Sequence, residues 1–200
     1  MRSIALPLIL LAGPGLLAQS TAFDGGLQAG LNLPTGDFAD KRTAYGDYLG
    51  ANGGLGLHFG GHLDFNFTPN HQMRLMLNAN GFASSEQTLF GSTQKNRFGV
   101  AQFGADYVFN AGSPFRGGYF LAGLNLNRIT ATYELAGYPD VEINQSGRAG
   151  IRVGGGFNFS RGFSLEGHLN SVSVEKDGVD GMGMDALTWV SVSAVFRFGR

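Results

Sequence analysis

Apolar and polar residues alternate with a period of two along most of the chain, the pattern of β-strands with two unlike faces. Between residues 55 and 67, leucines and phenylalanines fall on one face, and glycines, histidines, Asp64 and Asn66 fall on the other. Glycine is frequent in these runs and none keeps a period of 3.6, so helices are disfavoured. The pattern predicts eight strands, at residues 24–33, 53–67, 73–84, 97–109, 118–132, 146–159, 163–173 and 186–198.

The connections between these runs alternate in length. Residues 68–72, 110–117 and 160–162 are short, whereas the remaining four connections are longer and carry most of the charge: 34–52, 85–96, 133–145 and 174–185. Short turns at one end and long loops at the other are typical of an up-and-down membrane barrel. In that arrangement the turns face the periplasm and the loops face the outside.

The composition of the polar faces indicates which face points outward. Charged residues make up 14% of the chain, against roughly 25% in a typical soluble domain. All three lysines, Lys41, Lys95 and Lys176, lie in predicted loops, so the strands lack the lysine-rich surface of a soluble protein. A secreted soluble barrel or sandwich remains the alternative. We therefore predict an all-β fold, an eight-stranded antiparallel up-and-down transmembrane β-barrel with its apolar face toward lipid.

The first residues have the organisation of an export signal. Arg2 gives a positive start, residues 4–17 are almost wholly apolar, and small residues lead to a cleavage position at Ala22, with Ala18 as the second choice. The apolar run of 14 residues is shorter than the roughly 20 needed to span a bilayer as a helix, which disfavours an anchor helix. We expect a cleavable signal peptide at 1–22 and a barrel domain at 23–200.

Two further features of the composition exclude classes of partner. The chain has no cysteine, so disulfides and thiolate metal sites are excluded. The net charge of −1 gives no indication of nucleic-acid binding.

Aromatic residues recur at the short-turn end of the predicted strands. Every even-numbered run closes on an aromatic-x-aromatic triplet, and rings at one height form the interfacial girdle of membrane barrels. The alternative is that strands simply favour aromatic residues. The predicted girdle comprises Phe65, Phe67, Tyr107, Phe109, Phe120, Phe157, Phe159, Phe163, Phe196 and Phe198.

Charged and histidine side chains on the polar faces are predicted to meet in the lumen. Three acids balance three arginines, which suits a crowded interior where charges must be paired. Glycines on the same faces leave room for the long side chains. The predicted lumen polar network comprises Asp64, Arg74, Asp106, Arg148, Arg152, Glu166, His58, His62 and His168.

One ion pair within this network is predicted from the turn at residues 68–72. If Phe67 lies opposite Met73, then Asp64 and Arg74 become diagonal neighbours on the lumen face, with Cα atoms about 7–8 Å apart. The alternative partners of Arg74 are Asp106 and Glu166.

The residues from Gly30 to Phe38 and the last strand resemble small outer-membrane β-barrel proteins, the broad OmpX/OmpA/OmpW-like group. The first segment reads Gly-Leu-Asn-Leu-Pro-Thr-Gly-Asp-Phe, and the last strand ends in aromatic residues before Gly199 and Arg200. The resemblance implies location in the bacterial outer membrane, contact with outer-membrane lipid, and assembly by the barrel assembly machinery after Sec export. It implies no single activity. We expect a monomer.

The histidines and one short polar motif are the candidate chemical sites of the strands. His58 and His62 are four residues apart, which is about 13 Å along a strand, whereas a metal ligand lies about 2 Å from its ion. We therefore predict no metal site and no cofactor. Lipid A deacylases, which are outer-membrane barrel enzymes, carry a His-x-Ser-Asn motif, but His168 and Ser171 are three apart and take opposite strand faces. We predict that the chain is not an enzyme.

The predicted function is a structural or surface-interaction role through the long extracellular loops, which include Tyr45, Tyr48, Phe90 and Tyr138. Eight strands leave an interior that side chains fill, so a wide porin-like pore is not expected. The alternative is a narrow channel or a binding site for a small apolar solute, as in the OmpW-like branch. A filled lumen favours the first role and an apolar cavity favours the second.

Overall fold

A computed structural model describes residues 22–39, 53–89, 92–112, 116–175 and 184–198. The predicted signal peptide lies outside the described residues except for Ala22, and so do the loop residues Tyr45, Tyr48 and Phe90. Among the described residues, no helix is long and apolar enough to cross a membrane.

The described residues form eight strands and one 3₁₀ helix (Gly36–Phe38). Each strand pairs antiparallel with its sequence neighbours, and β1 pairs with β8 to close the barrel, which confirms the predicted fold class. The strands are β1 (Ala22–Thr35), β2 (Gly56–Asn66), β3 (His71–Leu89), β4 (Ser92–Asn110), β5 (Gly117–Leu135), β6 (Val141–Asn158), β7 (Phe163–Ser173) and β8 (Ala186–Phe198).

The apolar face of the strands points outward, as predicted. Leu124 is 70% exposed, Leu57 is 67% exposed and Phe120 is 66% exposed on the outer wall. The alternate positions point into the lumen and are buried. A soluble barrel would reverse this arrangement, because burial of apolar surface drives folding in water, so this wall is built to contact lipid.

Two of the four predicted long loops are instead extended hairpins. β3 ends at Leu89 and β4 begins at Ser92, while β5 ends at Leu135 and β6 begins at Val141. The predicted long connections at 85–96 and 133–145 were therefore wrong in length, because most of their residues belong to the strands. The upper strand segments 82–89, 92–100, 128–135 and 141–147 are together called the extension.

The hairpins extend beyond the predicted strands because the alternation of apolar and polar residues changes phase there. This change is clearest along β5. Leu124 and Leu126 point outward and the asparagines that follow each of them are buried. Beyond Arg128 the apolar residues point inward and the polar residues point outward: Ile129 is fully buried and Thr130 lies on the outer face. The barrel therefore has a lipid-facing wall below this level and a water-facing wall above it.

The opposite end of the barrel carries the short connections from β2 to β3, from β4 to β5 and from β6 to β7, together with both ends of the described chain. The first turn fixes a register that differs from the predicted one. The backbone N–H groups of Phe67 and Thr68 both donate to the carbonyl oxygen of His71, at 3.0 and 3.2 Å. This tight turn sets Phe65, and not Phe67, opposite Met73.

Candidate functional site

The lumen of the barrel has two layers, and the lower one is an ionic network. Arg74 lies directly opposite Asp64 across the β2–β3 pair, not diagonally as predicted. Its Nε donates to Asp64 Oδ1 at 2.9 Å, and its Nη1 donates to Glu166 Oε2 at 2.6 Å. All three side chains are almost completely buried. One arginine therefore joins β2 and β3 to β7 across the barrel.

Arg152 makes a second link across the lumen. It donates to the carboxylate of Asp106 and lies 3.5 Å from Glu166 Oε1. The Tyr119 hydroxyl donates to Glu166 Oε2 at 2.9 Å. Glu166 thus has both arginines and a phenol around it, which offsets the cost of burying its charge.

The structure separates Arg148 from this network and adds Arg197 to it. Arg148 has a side chain that is 26% exposed, and it pairs with Glu175 near the extension. Arg197 Nε lies 3.4 Å from Asp64 Oδ2, and its guanidinium lies over the Tyr119 ring, 5.7 Å from the ring centre. Three acids still meet three arginines, but the third arginine comes from β8.

The three predicted lumen histidines are all buried, and each has its own surroundings. The ring nitrogens of His58 contact Asn32 Oδ1 at 2.9 Å and Ser193 Oγ at 2.8 Å. His62 lies 3.6 Å from Asp64, and His168 lies 3.5 Å from Glu166. Among the described residues, no group of three or more His, Cys, Asp or Glu side chains could hold a metal ion.

Glycines opposite the large lumen side chains make the space that these side chains occupy. A Cβ atom at Gly156 would collide with the Tyr119 ring, and a Cβ atom at Gly123 would collide with the Asp106 carboxylate. These inward glycines are therefore required by the close packing of the network.

The upper layer of the lumen is largely apolar, a feature that the alternation of the lower strands does not predict. We call it the apolar cap; it lies inside the extension and consists of the buried residues Phe38, Phe82, Phe98, Val100, Ile129, Ala131, Ile143, Val172, Met184, Leu187 and Trp189. Its members from β3 to β6 occupy inward positions beyond the change of phase, so much of the interior of the extension is apolar, and the polar residues Gln94, Asn96 and Gln145 are buried there as well.

Phe38, from the 3₁₀ helix that follows β1, fills the centre of the apolar cap. Its ring packs edge-on against Phe82 and Phe98, with ring centres 4.8 and 5.2 Å away. The backbone N–H of Gly53 donates to the Phe38 carbonyl at 2.8 Å. Trp189 packs against Phe82 in the same cap, and its Nε1 has no hydrogen-bond partner among the described residues.

The residues of the deacylase-like motif are not assembled for catalysis. Glu166 and His168 point into the lumen, where Glu166 is bound by arginines. Ser171 lies on the outer face, where its hydroxyl is 3.5 Å from that of Thr188. Nucleophile and base therefore lie on opposite sides of the wall.

The predicted girdle residues lie at the turn end of the barrel. Phe109 is opposite Phe120, and Phe163 is opposite Phe196. The Phe163 ring also lies 5.9 Å from the Phe159 ring, centre to centre. The exposed aromatic residues of the set are Tyr107, Phe109, Phe120, Phe157, Phe159, Phe196 and Phe198.

A closed barrel of eight antiparallel strands, with an apolar outer wall and a polar lumen in its lower part, defines a small outer-membrane β-barrel. The sequence matches no protein-family model and no curated protein. Solved structures, however, are similar to it over most of its length.

Three of these structures are eight-stranded outer-membrane barrels. Ail, the attachment invasion locus protein of Yersinia pestis, has a TM-score of 0.57 at 13% identity and covers 88% of this chain and 99% of its own. The N-terminal β-barrel domain of Pseudomonas aeruginosa OprF has a TM-score of 0.51 at 14% identity, and the match covers 88% of this chain and 97% of the OprF domain. Neisserial surface protein A has a TM-score of 0.51 at 11% identity, and the match covers 89% of this chain and 97% of the neisserial protein.

These likenesses show the fold. Taken together with the exposed apolar wall, they place the chain in the bacterial outer membrane.

Proposed function

We propose that the protein is a non-enzymatic outer-membrane barrel with a sealed lumen, which holds the extension at the cell surface as a contact surface for other molecules. The observation that carries this proposal is the closure of the lumen in two layers. Arg74 and Arg152 cross its lower part fully buried, and Phe38 fills the apolar cap above them. A barrel closed in this way is suited to be a rigid support.

The outer face of the extension has the chemistry of a protein surface in water. Lys95 pairs with Glu86 at 2.9 Å, and Arg97 pairs with Glu134 at 2.9 Å. Tyr138, in the turn between β5 and β6, is 68% exposed. These side chains stand above the lipid-facing wall, where a partner outside the cell would reach them.

The proposal also covers how the protein reaches the outer membrane and how its outer wall contacts the lipid. Sec export, the barrel assembly machinery and outer-membrane lipid are the proposed partners, and a monomer is the proposed state. The aromatic residues at the turn end would form the girdle at the periplasmic interface, since amphipathic rings favour that depth.

Vesicle permeability and surface exposure test this function together. We expect salt-loaded vesicles containing the folded barrel to retain ions as well as protein-free vesicles do, whereas vesicles with a porin release them. We also expect an epitope inserted at the exposed turn residue Gly137 to bind antibody on intact cells. Ion release by the folded barrel, or an epitope that is reached only after the cells are opened, would reject the proposal.

A second candidate function, binding of a small apolar solute, rests on one polar atom in the apolar cap. The cap buries Trp189, whose Nε1–H has no hydrogen-bond partner among the described residues and could donate a hydrogen bond to a solute oxygen. Because this is the only tryptophan in the chain, its fluorescence reports on the cap alone. Saturable change in emission on adding a non-fluorescent alcohol such as cyclohexanol, abolished by Ala131→Phe crowding of the cap, would support this second function. An unchanged spectrum would exclude it for that probe.

A further inference from the structure

Arg128 lies where the outer wall changes from apolar to polar. On β5 it follows the outward residues Leu124 and Leu126 and precedes Thr130, and its side chain is exposed. The residue opposite it on β4 is Ala101, whose small side chain leaves the guanidinium uncovered on that side. Arg128 is therefore the first cation above the lipid-facing wall on this strand.

The strand on the other side of Arg128 is bulged. Asn127 pairs with Arg148 and Ile129 pairs with Gln145, so Arg128 alone faces Ser146 and Gly147. Gly147 has a φ of 69°, in the left-handed region, and a Cβ atom placed there would meet nothing within 4 Å. A bulge leaves one residue out of the hydrogen-bond ladder, so that its backbone polar groups lack a strand partner. The bulge gives an open, polar neighbour to the arginine.

Arg128 also differs from the other described cations near it, because it has no acid. Lys95 has Glu86, Arg97 has Glu134 and Arg148 has Glu175 as ion-pair partners. Within the part of the chain that the structure describes, no carboxylate lies within ion-pair distance of Arg128. An exposed, uncompensated guanidinium is a good partner for a phosphate, which it binds through two parallel hydrogen bonds.

Directly below Arg128, the outer wall has an apolar groove of about 370 Å³. Leu124, Leu126 and Phe103 form its sides, and the small side chains of Ala105 and Ala149 make its depth. A hydrocarbon chain in such a groove gains packing contacts that a flat wall does not give. The groove thus continues the site from the headgroup level into the hydrophobic layer.

We propose that Arg128, the Ser146–Gly147 bulge and this groove form a binding site for one phosphorylated lipid of the outer leaflet. The phosphate binds the guanidinium and the bulge, and one acyl chain lies along Leu126 and Ala149. The site rests on the placement of the barrel in the outer membrane. It adds a specific lipid partner to the proposed role at the cell surface.

Native mass spectrometry of the detergent-solubilised barrel tests the site, with bisphosphorylated lipid A as the probe and the same lipid without phosphates as the comparison. Loss of a charge-assisted hydrogen bond, about 1.5–3 kcal/mol, corresponds to about tenfold or more in affinity. We expect Arg128→Gln to lose at least this factor for the phosphorylated lipid only. The matched control is Arg97→Gln, which removes an exposed arginine that already has an acid and should bind as the native chain does.

Two further measurements test whether the bound phosphate belongs to a lipid and whether the groove contributes to binding. Inorganic phosphate should not compete at millimolar concentration, because it lacks the acyl chain. Ala149→Phe, which fills the groove, should weaken both lipids alike. Heat-modifiable gel mobility of each variant shows that the barrel is folded, so failure of the membrane fold is seen separately from failure of the site. Equal lipid A binding by Arg128→Gln and the native chain, or competition by inorganic phosphate, would overturn the proposal.

Discussion

Asp64 and Arg74 lie directly opposite each other on β2 and β3, and the Arg74 Nε donates to Asp64 Oδ1 over 2.9 Å. Arg74 also holds Glu166 of β7, and Asp64 also lies near Arg197 of β8. This pair therefore connects strands on both sides of the barrel closure, and its removal affects more than one hairpin.

Removal of either member of this pair is expected to destabilise the barrel. Breaking a buried ion pair costs about 3–5 kcal/mol, since the remaining charge stays buried without its partner. We expect Asp64→Ala and Arg74→Ala each to lower the free energy of unfolding by this amount. The double variant should lose less than the sum, with a coupling of about 0.5–3 kcal/mol. Denaturant unfolding in lipid vesicles measures all three.

The exposed pair Lys95 and Glu86 is the matched control for that cycle. Their side chains are 43% and 60% exposed, and exposed ion pairs contribute about 0–1 kcal/mol. Replacement of either by Ala should therefore change little. Strictly additive losses for Asp64 and Arg74 would show that each charge is stabilised by other groups, such as Arg197, Glu166 or lumen water, and not by its partner.

A charged side chain on the outer wall should destabilise the barrel only below the level at which the alternation of apolar and polar residues changes phase. Val153 lies on the lipid-facing wall, opposite Ala122 and Leu169. Arginine at mid-bilayer costs about 2–4 kcal/mol, so Val153→Arg should lower the free energy of unfolding from bilayers by about this amount. Thr132→Arg, on the outer face of the extension, should cost less than about 0.5 kcal/mol. A similar loss at both positions would mean that the extension also lies within lipid.

The apolar cap should shield Trp189 from the aqueous phase. Trp189 is the only tryptophan and is fully buried, so its emission in the folded barrel should be blue-shifted and poorly quenched by acrylamide. Phe38→Ala removes the ring at the centre of the cap and should cost about 3–5 kcal/mol. The same variant should increase acrylamide quenching. Phe120→Ala, on the outer wall, should leave quenching unchanged; strong quenching of the native barrel would contradict the sealed cap.

The strands could be predicted because the lipid imposes a strict alternation on every strand that crosses it. β7 and β8 begin and end where the sequence pattern places them, at 163–173 and 186–198. The upper parts of β3 to β6 were missed because the alternation changes phase there. On β5 the predicted strand ends at residue 132, a few residues beyond the reversal at Arg128, whereas the observed strand continues to Leu135.

The residues of the lumen were predictable by strand parity, but their contacts were not. Arg197 shares a face with Ser191 and Ser193, so the same rule that places Glu166 in the lumen would have found it. The pairing of Asp64 with Arg74 depends on a two-residue register step that only the geometry of the turn decides. Phe38 follows β1 in a 3₁₀ helix, and no periodicity marks it as part of the cap.

Single-cysteine labelling tests the central claim most directly, because the chain has no cysteine of its own. The three positions are Leu124→Cys on the lipid-facing wall, Ala131→Cys in the apolar cap and Thr132→Cys on the outer face of the extension. On intact cells, a membrane-impermeant maleimide should label Thr132→Cys rapidly and should label the other two only after denaturation. Labelling of Leu124→Cys in the folded protein as fast as Thr132→Cys would show that the apolar wall faces water, and it would contradict the membrane barrel.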